Sequence, residues 1–269
     1  MILNFLTVLK NRTIFLFVPV WLNLSCQTFR VQSDEKESNT QKIVETNLNF
    51  AQKQIDSGQP EHALQTLRPL LNQFPENSPL LNMVGISYLA LSNPAHAKLF
   101  FKKAYDFDKN PMYALNLSSS LIAEGSFQAA ENILKKMIEE KSYPLIERVY
   151  HNYALTFEKR KNYKKAIEYY TKALDENPSY YLSNIRLGKV FQLMNARDSA
   201  KLAFEKALAT CAVCFEPVSE VCIMYFDEGN YAKASSLLQH FLSNKEISTE
   251  NRSQAKSLLN LASKMSASN

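Results

Sequence analysis

Beyond residue 43, apolar residues recur at intervals of three and four along the chain, the spacing that places side chains on one face of an α-helix. Short polar segments containing Gly, Asn or Pro interrupt this pattern and predict turns between helices. A small residue returns at almost constant intervals of 34, 33, 36, 34 and 34 residues. These positions are Ala63, Ala97, Ala130, Ala166, Ala200 and Ala234. A period of this length predicts a stack of repeated helix pairs.

Three further positions keep the phase of this alanine. Four residues after it lies an aromatic residue or a leucine, and twelve residues before it lies a small residue, as in Phe101 and Gly85. Five residues before it, where the two helices of a unit would join, the sequence predicts a turn. The residues at that turn are Gly58, Ser92, Gly125, Lys161, Asn195 and Gly229. Pro75 and Pro178 end two of the units, because proline cannot continue a helix.

Residues 163–174 (Tyr-Lys-Lys-Ala-Ile-Glu-Tyr-Tyr-Thr-Lys-Ala-Leu) match the tetratricopeptide-repeat (TPR) pattern almost residue for residue, and the chain resembles this family. The resemblance implies an all-α fold, a right-handed superhelix (α-solenoid) of six TPR helix pairs within 43–248. The predicted units are 44–77, 78–110, 111–146, 147–180, 181–214 and 215–248. A C-terminal capping helix is predicted within 249–269, where Ala255, Leu258, Leu259 and Ala262 would cover the last apolar face.

The N-terminal residues predict an export signal. Lys10 and Arg12 precede an apolar run, 14–24, which is too short to span a bilayer but suits a signal-peptide core. Ser25 and Cys26 follow, and this junction resembles the lipobox of bacterial lipoproteins, although Asn23 stands where the lipobox usually has leucine. We therefore predict a signal peptide at 1–25, lipidation of Cys26 and a flexible tether at 26–42.

Two alternatives stay open for this segment: an uncleaved N-terminal anchor, and a plain secretory peptide with an incidental cysteine. All three place the chain outside the cytoplasm. Gln27 follows the cysteine where an aspartate would retain such lipoproteins at the inner membrane. The resemblance therefore implies a location in the bacterial cell envelope, on the inner leaflet of the outer membrane facing the periplasm, with the N-terminal lipid as the membrane attachment.

Composition agrees with a folded helical protein that binds no nucleic acid. Apolar residues make up 46% and charged residues 21% of the chain, too apolar for disorder, and only 5 glycines argue against a turn-rich β fold. The net charge of +5 falls to +3 without residues 1–25, which contain Lys10 and Arg12 but no acid. Because Lys and Glu alternate along the helices, no basic stripe for nucleic acid is predicted.

The TPR resemblance places a ligand surface on the concave face, which is lined by the first helix of each unit. We predict that this groove binds a protein partner and is apolar in the first three units and charged in the fourth. The predicted groove residues are Leu48, Ile55, Asn82, Ile86, Leu89, Met112, Leu115, Ile122, Arg148 and His151. The alternative is that the neighbouring helix or the tether covers these side chains.

Candidate chemistry is sparse. The four histidines show no metal-binding spacing, and we predict no catalytic residue, no metal, no cofactor and no small-molecule substrate. Cys211 and Cys214 form a Cys-x-x-Cys pair that lacks a second pair for zinc and the βαβ context of a redox motif, so a structural disulfide is predicted. Cys222 falls on the small position of the sixth unit. A catalytic or metal-binding accessory domain, supported only by these cysteines, is the rival class.

Two segments of the sequence resemble one particular group of TPR proteins. Residues 116–146 contain a Leu-Ile-Ala-Glu-Gly turn, a helix and then Lys-Ser-Tyr-Pro, and residues 147–155 contain Asn-Tyr-Ala. Together with the lipobox-like cysteine they resemble the type IV pilus pilotin lipoproteins (PilF, PilW and Tgl) over about 43–262. This implies that the chain assists outer-membrane secretin assembly, with a secretin as partner. Ile122 and Thr156 depart from the family, in which many members have cysteines there. The rival is a periplasmic TPR scaffold for cell-wall enzymes or outer-membrane protein assembly.

Overall fold

The structure, a computed structural model, describes residues 41–141 and 143–267, and within these ranges it contains thirteen α-helices and no strand. The predicted signal peptide, Cys26 and nearly all of the tether lie outside the described residues. The helices are α1 (41–56), α2 (Pro60–Gln73), α3 (Ser78–Ala90), α4 (Pro94–Phe107), α5 (Pro111–Glu124), α6 (Phe127–Glu140), α7 (Ile146–Lys159), α8 (Tyr163–Glu176), α9 (Tyr181–Leu193), α10 (Arg197–Thr210), α11 (Phe215–Asp227), α12 (Tyr231–Ser243) and α13 (Thr249–Ala267).

Consecutive helices from α2 to α13 pack on one another, and α1 packs against α2 in the apolar cluster that contains Ala51 and Ala63, so that α1 to α12 form six helix pairs. First helices also contact first helices of the next unit, as α3 contacts α5 and α5 contacts α7. The predicted all-α solenoid is therefore confirmed. One boundary is wrong: the predicted tether extends to residue 42, whereas residues 41 and 42 already belong to α1.

The core lies between the two helices of each pair. The phased alanine of the second helix is fully buried in all six units, as is the large residue four positions later. The small position of the first helix is the reason that the helices approach so closely. At Gly85 and Gly188 an added Cβ would lie 2.6 Å and 2.5 Å from the rings of Phe101 and Phe204. Steric fit at these crossings therefore requires a residue without a side chain opposite each of these two rings.

All six predicted intra-unit turns are present, and each turns on one residue with positive φ. Gly58, Gly125 and Gly229 adopt this conformation freely, whereas Ser92, Lys161 and Asn195 adopt it at a steric cost. An asparagine then caps the second helix in several units: Asn93, Asn162 and Asn230 accept hydrogen bonds from backbone N–H groups of α4, α8 and α12. The residue with positive φ and the asparagine cap together explain how the chain reverses direction within a few residues.

Helix α13 covers the last unit, which confirms the predicted cap. Ala255 and Ala262 are buried, and Leu258 and Leu259 pack against the apolar cluster between α11 and α12. The guanidinium of Arg252 donates to the carbonyl oxygens of Leu242 at 2.9 Å and Asn244 at 2.8 Å. It thereby satisfies carbonyls that the end of α12 leaves without partners inside that helix.

Candidate protein-binding face

The first helices share one row of accessible side chains. In each first helix from α3 to α11, four residues spaced at i, i+4, i+7 and i+11 are not buried, where i is Pro79 in α3. We call these residues the inner face: Pro79, Met83, Ile86 and Ala90 on α3; Met112, Asn116, Ser119 and Ala123 on α5; Arg148, Asn152, Leu155 and Lys159 on α7; Leu182, Arg186, Lys189 and Leu193 on α9; and Glu216, Glu220, Ile223 and Asp227 on α11. This spacing keeps four side chains on one stripe of an α-helix.

Polar contacts between successive first helices identify this row as the inner side of the stack. The Asn116 amide donates to Asn82 Oδ1 at 2.8 Å, and the Asn152 amide donates to Ser119 Oγ at 2.8 Å. Further along the stack the bridging pairs are Arg186 with Glu158, Lys189 with Glu216, and Gln192 with Glu220. Because each contact joins residues about one repeat apart, the row runs without interruption from α3 to α11.

Charge is distributed unevenly on this face. Helix α3 contains no charged residue, and the only one in α5 is Glu124, which pairs with Lys98 of α4 at 2.7 Å. The face becomes basic on α7 and α9 and acidic on α11. Several apolar side chains are also accessible: Met112 is 36%, Leu182 39%, Ile223 46% and Leu193 60% exposed. The face therefore combines neutral, basic and acidic zones with accessible apolar groups.

The predicted groove residues fall into two groups. Ile86, Met112 and Arg148 lie on the inner face. Leu48 and Ile55 on α1 are half-buried against the core of the first unit, and Leu89 is also half-buried.

Four of the predicted groove residues are buried, and the prediction that they form an open lining is wrong. Leu115 and Ile122 pack in the apolar cluster that contains Leu134 and Val149, and Asn82 and His151 are closed in by the next unit. Each lies one position along the helix from a residue of the inner face. Each step of one residue along an α-helix rotates the side-chain direction about the helix axis by about 100°. This rotation is enough to move a side chain from the inner face to the contact between units.

The predicted groove ends at the fourth unit and omits the accessible apolar residues of α9 and α11. Leu182 lies 34 residues after Arg148, and Ile223 lies 34 residues after Lys189. Adding one repeat period to the inner-face positions of the preceding unit would therefore have located both residues.

His151 occupies a closed polar cluster at the junction of the fourth and fifth units. Its Nδ1 lies 3.0 Å from Ser183 Oγ, and its ring contacts the rings of Tyr170 and Tyr180. Burial, together with the positive charge of Arg186, lowers the pKa of His151 to about 3. The imidazole is therefore neutral at physiological pH and acts as a packed hydrogen-bonding group.

Glu158 links two units beside this histidine. The Tyr170 hydroxyl donates to Glu158 Oε2 at 2.5 Å, and Arg186 pairs with the same carboxylate at 3.5 Å. Burial raises the pKa of the Tyr170 hydroxyl, so this hydroxyl remains a donor. The cluster holds α7, α8 and α9 together through polar contacts of defined geometry.

Cys211 and Cys214 are joined in a disulfide between α10 and α11, with Cα atoms 5.5 Å apart. Cys222 is buried, and burial raises the pKa of its thiol to about 12, which leaves it unreactive. His62 and His96 lie exposed at the starts of α2 and α4, beside Gln59 and Asn93. In the part of the chain that the structure describes, no three His, Cys, Asp or Glu side chains are arranged to hold a metal ion.

The tetratricopeptide-repeat profile TPR_2 matches residues 147–180, which is the predicted fourth unit. The other five helix pairs repeat its buried positions and its turn. This is a TPR repeat protein. None of the TPR protein's helices within 41–141 and 143–267 is both long and apolar enough to cross a membrane.

Solved TPR structures share the fold. PilW, described as a widely conserved type IV pilus biogenesis factor, aligns with a TM-score of 0.58 at 16% identity over 78% of this chain and 96% of PilW. PilF of Pseudomonas aeruginosa aligns at 0.56 and 14% identity over 81% and 99% of the two chains. A TPR protein of Parabacteroides merdae aligns at 0.60 and 16% identity over 80% and 82%.

The uncharacterized protein ycf37 of Cyanophora paradoxa is similar in sequence to this TPR protein. The two are 28% identical over 113 residues, which is 41% of this chain. The matched stretch spans 63% of the length of ycf37.

Proposed function

We propose that this TPR protein binds another polypeptide along its inner face. The observation that carries the proposal is the accessible row on α3 and α5, in which Ile86 is half-buried, Met112 is exposed and none of the inner-face residues is charged. Apolar groups that the chain itself does not cover are typical of surfaces that contact a partner. The row continues over five helices as an open surface, whereas small-molecule sites are enclosed pockets.

We further propose that the partner belongs to the type IV pilus assembly machinery and is an outer-membrane secretin. The support is the pilotin-like sequence at 116–155 together with a fold shared with PilF and PilW. On this proposal the chain is exported, Cys26 carries the lipid, and the repeats face the periplasm from the outer membrane. The chain then acts as a binding partner and performs no chemical step.

Gene deletion tests the secretin proposal. We expect loss of secretin multimers on non-reducing gels and loss of surface pili, both restored by the wild-type gene and impaired in a Cys26→Ser variant. Normal multimers and pili after deletion would exclude this role. If cell-wall enzymes or outer-membrane proteins are mislocalised instead, the chain is the rival periplasmic scaffold.

A matched pair of variants tests the inner face itself. Met112→Glu with Leu182→Glu places two charges on accessible inner-face positions, and is expected to abolish co-purification of the envelope partner. Leu99→Glu with Leu202→Glu is the control, since both residues are exposed on second helices, α4 and α10. Circular dichroism should show that both double variants are folded. Equal capture of the partner by both would contradict the proposed face.

A further inference from the structure

The inner face changes from neutral to basic at one step of the stack, between α5 and α7. None of the inner-face residues of α5 is charged, whereas α7 contributes Arg148 and Lys159 and α9 contributes Arg186 and Lys189. Beyond α9, helix α11 contributes only acidic charges. The basic zone is therefore bounded on both sides and covers two helices.

Two of the four basic groups have no acidic partner among the described residues. Arg186 pairs with Glu158, and Lys189 pairs with Glu216. Arg148 and Lys159 are both exposed, and neither side chain makes an ion pair with any described residue. An exposed, unpaired guanidinium and ammonium at the two ends of α7 can accept a carboxylate from outside the chain without breaking an existing pair.

Apolar groups accompany these charges. Leu155 lies between Arg148 and Lys159 on α7, and Leu182 and Leu193 flank the basic pair of α9. Met112 and Ile86 continue the apolar surface on α5 and α3. A ligand that spans α3 to α9 must therefore present apolar side chains along its length and carboxylates at the end that lies on α7 and α9.

Amide and hydroxyl groups favour an extended polypeptide over a lipid surface. Asn116, Ser119 and Asn152 are partly accessible, and each amide keeps hydrogen-bonding capacity beyond its bridging contact. The Ser119 hydroxyl also donates to the carbonyl oxygen of Leu115 at 3.1 Å and keeps one acceptor lone pair. A peptide backbone presents donors and acceptors at regular intervals, whereas lipid acyl chains present none. First helices in contact lie about 8–10 Å apart, so one repeat corresponds to about three residues of extended chain.

Building on the proposed function, we propose that the inner face binds an extended peptide segment in which apolar residues lie on α3 and α5 and acidic residues follow on α7 and α9. The apolar and acidic parts are separated by about three to six residues, the distance between α5 and α7 or α9 in extended backbone. The carboxylates contact Arg148 and Lys159, and the apolar side chains contact Ile86 and Met112.

Selection from a display library of random 12-residue peptides on the folded repeat protein tests this inference. The selected pool is expected to be enriched in Asp and Glu beside Leu, Ile or Met. A synthetic peptide from that pool should bind about tenfold more weakly to the Arg148→Glu, Lys159→Glu variant, because two attractive contacts become repulsive. The variant Lys164→Glu, Lys206→Glu is the control, with the same charge change at exposed lysines of α8 and α10.

A pool without acidic enrichment, an empty pool, or equal weakening by both variants would overturn the inference. Binding of the wild type to phosphatidylglycerol vesicles, lost in the Arg148 and Lys159 variant alone, would also overturn it in favour of a lipid surface. None of these results affects the wider proposal, which depends on partner capture and on the Met112 and Leu182 variant.

Discussion

The ring of Phe101 lies directly over the backbone of Gly85, where an added Cβ would be 2.6 Å from ring atom Cε1. Gly188 and Phe204 form the same contact three units later in the stack, at 2.5 Å. In the other four units the small position of the first helix carries a Cβ. In three of these units a leucine takes the place of the phenylalanine: Ala51 faces Leu67, Ser118 faces Leu134 and Cys222 faces Leu238. In the remaining unit Ala154 faces Tyr170.

The Gly85→Ala substitution should therefore destabilise the protein. Overpacking of a buried contact costs about 1–3 kcal/mol, which exceeds the gain of about 1 kcal/mol in helix propensity. Adding Phe101→Leu should recover part of the loss, because leucine leaves room for the new methyl group. Urea unfolding of the two single variants and the double variant measures the coupling. If Gly85→Ala raises the midpoint, the ring does not confine this position.

Replacing Lys161 with glycine should stabilise the fourth unit. Lys161 has φ of 60° at an exposed turn, a conformation that costs a residue with a Cβ about 1 kcal/mol. Lys135→Gly is the matched control, since Lys135 is exposed in the middle of α6 and glycine there should cost about 1 kcal/mol. Thermal unfolding should move the two variants in opposite directions, and a parallel shift would contradict the argument.

Acid should weaken the junction of the fourth and fifth units through His151. In the folded protein its pKa is lowered to about 3, whereas the unfolded chain takes up the proton near the ordinary value of 6.5. The unfolded state therefore binds more protons between these values, and stability is lost as pH falls through this window. The slope approaches about 1.4 kcal/mol per pH unit.

A His151→Gln variant should flatten this dependence between pH 6.5 and pH 4, because the titrating group is absent. His240→Gln is the control, since it makes the same substitution at a histidine that is exposed on α12. Urea unfolding at several pH values provides the measurement. An unaltered slope in His151→Gln would show that another group dominates.

Reduction of the Cys211–Cys214 disulfide should loosen the C-terminal cap more than the first units. The loop carbonyl oxygens of Ala212 and Val213 accept from Asn244 at 3.5 Å and Asn251 at 3.4 Å, so the loop contacts the segment that leads into α13. A loop this small contributes about 2 kcal/mol through the unfolded chain.

Hydrogen exchange before and after addition of a dithiol reductant measures this effect, and α13 should exchange faster while α3 and α4 do not change. The Cys211→Ser, Cys214→Ser variant is the control and should be insensitive to the reductant. Faster exchange across all units would mean that the disulfide supports the whole stack.

Several features were accessible from the sequence because they depend on contacts inside one repeat. Each unit has counterparts of the buried Ala166 and Tyr170 and of the turn at Lys161, at the same offsets. Because the same interaction is made in all six units, the same residue types recur in the sequence with the period of the repeat. The pairing of Gly85 with Phe101 belongs to the same class.

The chemistry of the inner face depended on the three-dimensional structure. Leu115 and Met112 both lie on α5 and both are apolar, yet one is buried against the next unit and the other is open. Their difference is the direction of the side chain relative to a neighbouring helix, which composition does not encode.

The amino-acid pattern alone predicts that this chain is a stack of helix pairs, where each pair turns and which residues fill its core, because close packing within a repeat admits few residue types. Which side chains remain accessible and which charges stay unpaired became known from the three-dimensional arrangement. Those properties depend on the distance and rotation between successive first helices. Contacts such as Asn82 with Asn116, made between units, fix that geometry.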